Sequence, residues 1–84
     1  MGKTETNPIY DYSMLRGRIR EKLGTEGAYA SKIGRTQNYL TAVFNGRSFF
    51  SQKDITSGAD VLEIEPKDIG AFYFTKKVHE SETV

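Results

Sequence analysis

Near the middle of the chain, a helix stop and a helix start stand almost back to back. In "TEGAYASKIGRTQNYLTAVFNG", residues 25–46, Gly34 can take the left-handed conformation that ends a helix, and Thr36 can accept a backbone N–H at the start of the next. Only Arg35 lies between them, so the two helices must meet at a sharp angle. Thr25 can cap the first of the pair, whose apolar side is Tyr29, Ala30 and Ile33. In the second, Leu40, Val43 and Phe44 fall at i, i+3 and i+4, the spacing of one helical face.

The second helix has a rival reading. "YLTAVFNGRSFF" places β-branched and aromatic residues on either side of Asn45-Gly46, the dipeptide of a tight hairpin. A strand would put Leu40, Ala42 and Phe44 on one face and Tyr39, Thr41 and Val43 on the other, leaving no polar side. A lone two-stranded hairpin is marginal in water, and no other segment supplies a partner strand. The helix is preferred, with Asn45-Gly46 as its end.

The flanking pattern is also helical. Tyr12, Leu15, Ile19 and Leu23 form one stripe, closed by Gly24. Ser51 followed by Asp54 resembles a capping box, opening a helix with Ile55, Ala59 and Leu62 inward, in which Gly58 would cost up to ~1 kcal/mol relative to Ala if interior and exposed. Pro66 suits a first turn, after which Ile69, Phe72 and Tyr73 give the last apolar side. The expectation is an all-α, compact five-helix domain with helices over 12–23, 26–33, 37–45, 52–62 and 66–74. Residues 1–10 read as a flexible lead-in, 11–75 as the domain and 76–84 as a flexible tail.

Composition narrows the chemistry. Eighty-four residues make one small domain, burying about 60% of its unfolded surface, so dimerisation would help it. There is no Cys, and the single His79 stands in a polar tail, so no thiolate or clustered-histidine metal site is expected and no cofactor is implied. Asp54, Asp60 and Glu63 are too scattered for a paired acid and base, and an enzyme is not expected. No apolar run approaches the roughly 20 residues that span a bilayer. Charge is uneven: residues 1–47 hold eight Lys or Arg against four acids, whereas 48–84 hold four Lys against seven acids. A polyanion would meet the first half.

The 25–46 segment resembles the helix-turn-helix of the Cro and CI class of phage repressors: small Ala30, apolar Tyr29 and Ile33, Gly34 at the turn, then Leu40 and Val43 inward. "KIGRTQNYLTAVFNG" is similar to the 434-type repressors. "DYSMLRGRIREKLGT" and "FYFTKKV" resemble short Cro-like proteins from phages of Gram-positive bacteria. The resemblance implies a lambda-repressor-like fold and a sequence-specific transcriptional regulator, a repressor acting in the bacterial cytoplasm on double-stranded operator DNA, as a homodimer. Arg35 departs from the family at a turn position that is commonly apolar, so it either points outward to a phosphate or the packing differs. Glu26 stands where the family often has Gln, and a carboxylate there would repel DNA.

With helix 37–45 in the major groove, Gln37, Asn38, Thr41 and Ala42 would read bases, because they lie opposite Leu40, Val43 and Phe44. Phosphate contacts would come from Thr25, Lys32, Arg35, Thr36, Asn45, Arg47 and Ser48, by cation or by helix N-terminal amide. Tyr39 lies at the margin, either packed or on the sugar-phosphate backbone. Arg16, Arg18 and Arg20 read as a solvated face or as intramolecular ion pairs. The alternative function is an antirepressor that binds a partner repressor through Phe49, Phe50, Phe72, Tyr73 and Phe74. Those aromatics otherwise serve core or homodimer packing.

Overall fold

The structure, a computed structural model, describes residues 10–77. The order is α1 Ser13–Leu23, α2 Glu26–Lys32, α3 Gln37–Phe44, α4 Gln52–Val61 and α5 Ile69–Tyr73, with a 3₁₀ turn at Pro66–Asp68 leading into α5. The all-α expectation therefore holds. Helix 66–74 is the element that differs: its first turn closes with Asp68 N–H donating to the Glu65 carbonyl at 2.8 Å, and α-geometry begins only at Ile69.

The helix ends follow from local chemistry. Thr25, Thr36 and Ser51 each accept a backbone N–H three residues on, and Asp54 returns the bond to the Ser51 N–H, completing the capping box. Gly34 and Gly46 have φ of 77° and 85°. Beyond each glycine the next amide reaches back to an orphan carbonyl: Arg35 to Ala30 and Arg47 to Ala42, both at 2.8 Å. Asn45-Gly46 thus ends a helix and turns no hairpin. Glu63 takes the same left-handed role after α4 at φ 58°, and Ile64 N–H reaches back to the Ala59 carbonyl at 2.8 Å.

Every expected stripe points inward. Tyr12, Leu15, Ile19, Tyr29, Ala30, Leu40, Val43, Phe44, Ala59, Leu62, Phe72 and Tyr73 form the core together with Ile64, while Leu23, Ile33, Ile55 and Ile69 pack half-buried at its edge. α2 lies centrally, touching α1, α3 and α4. Two features depart from expectation. Gly58 is no weak point but a necessity, because it is buried and a Cβ there would collide with the hydroxyls of Tyr29 and Tyr73. Tyr10 and Lys76, expected in flexible ends, form an antiparallel bridge, and Asp11 N–H donates to the Thr75 carbonyl at 2.7 Å. His79 and the rest of residues 1–9 and 78–84 lie outside the described residues.

Candidate functional site

The α2–α3 corner is fixed by a polar network that sequence reasoning did not anticipate. Asp54, 2% exposed, stands at the start of α4 beneath the corner. Its carboxylate accepts from Arg35 Nε at 2.9 Å, from the Tyr39 hydroxyl at 2.7 Å and from the Ser51 N–H at 3.2 Å. Burial pushes this carboxyl up, but the bonds from Arg35, Tyr39 and Ser51 outweigh it and hold Asp54 below its ordinary range. The Arg35 guanidinium also lies over the Tyr39 ring, 4.5 Å from its centroid.

This network shows where two residues left open by sequence lie in the free chain. Arg35 is turned toward Asp54, where a phosphate-directed arginine was one expectation. Tyr39 is packed: its hydroxyl lies 2.8 Å from the Phe49 carbonyl as well as near Asp54, so one proton serves two acceptors. Burial and the neighbouring carboxylate raise the Tyr39 phenol to about 12.

On α3, Gln37, Asn38 and Thr41 are exposed, together with Asn45 at its end, and Ala42 is half-buried among them. The face is polar, flat in charge and shared with Thr36, whose hydroxyl is already engaged as a cap. Gln37 extends over Gly27 of α2, so close that a Cβ on Gly27 would sit 3.1 Å from Gln37 Oε1. The Thr25 hydroxyl likewise accepts from the Ala28 N–H, its own proton left free to donate. Lys32 and Arg47 are exposed on the flanks, Ser48 is half-buried, and neither cation enters an ion pair among the described residues.

Four of the eight cations of the first half are engaged inside the molecule. Arg16 Nε pairs with Glu26 at 2.8 Å, so the unusual Glu26 faces an arginine of its own chain. Lys22 pairs with Glu63 at 3.2 Å and Arg35 with Asp54, both crossing from the basic half to the acidic one. Arg18, read as a solvated face or an intramolecular ion pair, lies 3.5 Å from Glu21, donates from Nη1 to the Leu62 carbonyl at 2.9 Å and covers the Phe72 ring at 5.0 Å. It caps the negative end of α4, a role with no local sequence signal.

The five aromatics proposed as a partner surface separate into two groups. Phe72 and Tyr73 are core residues and are withdrawn from that surface, because their helix turns them onto α1 and α4. Tyr73 shares a hydrogen bond with Tyr29, hydroxyl to hydroxyl at 2.7 Å. Phe50 is half-buried against Tyr12, Tyr39, Phe44 and Tyr73. Phe49 and Phe74 remain outside, 54% and 48% exposed, and Tyr10 joins them edge-on with centroids 6.4 and 5.7 Å away. Tyr10 was missed because it lies in the polar lead-in, far in sequence from either phenylalanine. Among the described residues no cluster of three His, Cys, Asp or Glu could hold a metal, and no helix is long and apolar enough to cross a membrane.

The chain matches the model of a family described as "Protein of unknown function (DUF739)" over residues 9–76. No curated protein matches it. Among solved structures it is similar to the solution structure of the modulator of repression (MOR) of the temperate bacteriophage TP901-1 from Lactococcus lactis. The two share 36% identity and a TM-score of 0.69, with 83% of this chain and 95% of that chain covered.

Proposed function

This chain belongs to the DUF739 family, and we propose that it is a phage regulatory protein that modulates repression by binding a partner repressor. The observation that carries this reading is the likeness to the TP901-1 modulator of repression, which spans nearly all of that chain. A modulator of repression has two physical routes: it can engage the repressor itself or compete for the operator. The geometry favours the first. Affinity for DNA comes mainly from cations on phosphates, and here Arg16, Arg18, Lys22 and Arg35 are held by carboxylates or a carbonyl of the same chain. Lys32 and Arg47 are the cations left on the flanks of α3, with Arg20 and Lys53 the other exposed cations of α1–α4 that enter no ion pair among the described residues.

The test is a titration of the purified chain with the full-length repressor of the same phage, without DNA. A stoichiometric complex is expected, and addition of the chain should lower the repressor's operator occupancy. A repressor whose operator binding is untouched by a large excess of the chain would sink the proposal.

Direct DNA binding remains the second reading, favoured by the exposed Gln37, Asn38, Thr41 and Asn45 on α3. In that case the chain would act as a Cro-like repressor, as a homodimer on a palindrome with half-sites one helical turn apart. It predicts a salt-sensitive shift of operator DNA by the chain alone that is lost in Gln37→Ala and Asn38→Ala. Either way the site of action is the cytoplasm of the bacterial host, where repressor and operator are found.

A further inference from the structure

We propose that the partner docks on the aromatic seam of Tyr10, Phe49 and Phe74 and the lysine pair Lys76–Lys77 beside it, through an acidic segment carrying an apolar anchor. This rests on the reading of the chain as a repressor-binding protein and names the surface that does the binding. Three large apolar side chains are strongly exposed among the described residues, Met14, Phe49 and Phe74, and two of them meet here. Their rings are not stacked on the core but stand on either side of Tyr10, which is held in place by the bridge to Lys76. Edge-on contacts with Tyr10 restrict both rings, which lowers the entropy lost when a partner covers them.

Charge identifies the occupant. Tyr10 also lines an adjoining cleft of about 260 Å³ with Asp11, Tyr12, Ser13, Arg16, Phe44 and Lys77. Lys77 and the neighbouring Lys76 are exposed and enter no ion pair among the described residues. The one acid in the lining, Asp11, keeps its charge: its Oδ1 accepts from the Ser13 N–H at 2.9 Å and from the Ser13 hydroxyl at 2.6 Å, bonds that favour the ionised form, and Lys77 lies near enough to favour it further. Arg16 at the cleft wall spreads over Phe44, 4.7 Å from the ring centroid. With Arg16 answered by Glu26 and Lys77 facing Asp11, Lys76 carries the excess positive charge beside the aromatic surface, complementary to a carboxylate flanking an apolar side chain.

The α3 face lacks both halves of this chemistry, having no exposed large apolar side chain and no charge of its own. The seam also lies where both ends of the described chain come together, so a partner seated there would touch residues far apart in sequence.

The experiment titrates the full chain with the full-length repressor of the same phage by calorimetry, at low and moderate salt. The pair Phe49→Ser with Phe74→Ser should weaken the complex by roughly tenfold or more. Lys76→Glu with Lys77→Glu should weaken it and diminish its salt dependence, and these exposed positions keep the test decisive if the phenylalanine pair unfolds. Asn38→Ala with Thr41→Ala should leave affinity unchanged. Unchanged affinity in the lysine pair and in a folded phenylalanine pair would overturn the seam, as would loss confined to the α3 pair, while repressor binding itself stood. A phenylalanine pair that alters self-association but not repressor affinity would also overturn it, making the seam a contact between copies. No complex with the wild-type chain would remove the reading and the seam together.

Discussion

Asp54 shows how much one residue can hold. It is both the returning half of a capping box and the buried acceptor for Arg35 and Tyr39. Because its folded pKa lies below its ordinary value of 3.8, the ionised form stabilises the fold above that pH. The stabilisation is then lost as pH falls through the lower folded value. Urea unfolding of Asp54→Asn should accordingly show a shallower loss of stability below about pH 4 than wild type. At neutral pH, Asp54→Ala should cost about 2–3 kcal/mol, below or at the low end for a fully buried pair because Arg35 is 40% exposed. Gly58 makes the opposite case, a residue whose value lies in what it lacks. Helix propensity alone makes Gly58→Ala stabilising by up to ~1 kcal/mol. Collision with two tyrosine hydroxyls should instead make it destabilising by about 1–3 kcal/mol. A double-mutant cycle with Tyr29→Phe checks the cause, since removing one hydroxyl should reduce the cost of the alanine.

At the scale of elements, the helices are joined by polar links as well as by apolar stripes. Tyr29 of α2 and Tyr73 of α5 meet hydroxyl to hydroxyl under Gly58 of α4, so three helices converge on one hydrogen bond. Burial pushes both phenols up, Tyr73 to about 12 and Tyr29 further. A raised folded pKa means the stability from the neutral tyrosines is complete below their unfolded value near 10 and is lost as pH rises through the folded values. Ultraviolet titration should find that Tyr29, Tyr39 and Tyr73 resist ionisation up to about pH 12 until the chain unfolds. Full ionisation of all five tyrosines near pH 10 with native circular dichroism would contradict this packing. The α2–α3 corner depends on Gly34 and on the Thr36 cap, so Thr36→Ala should lower stability by ~1 kcal/mol while leaving the α3 surface residues in place.

For the whole molecule, the charge asymmetry along the sequence is partly cancelled in space. Lys22–Glu63 and Arg35–Asp54 bring the basic half onto the acidic half, which is why a polyanion partner is a weaker inference from the fold than from the sequence. The two ends of the domain also close on each other. A chain ending at Phe74 would lose the bond from Asp11 to Thr75 and the bridge from Tyr10 to Lys76. It should unfold at lower temperature, by an amount corresponding to about 1 kcal/mol, and should release Tyr10 from the aromatic seam. Thermal melts of the shortened chain measure the first, and the NMR ring resonances of Tyr10 the second.

Local chemistry sufficed for the five helices, their caps at Thr25, Thr36 and Ser51, the inward stripes and the end at Asn45-Gly46. Each of those depends on neighbours within about one or two helical turns, so the residues carry the information directly. The exposed positions of Gln37, Asn38 and Thr41 follow from the same periodicity. Tertiary structure alone decided that Arg35 and Tyr39 serve Asp54, that Arg18 caps α4, that Gly58 admits two hydroxyls and that Tyr10 joins Phe49 and Phe74. The reason is physical: each of these relations pairs groups 15 to 64 positions apart, and side-chain ions and aromatic edges have no period that announces a distant partner.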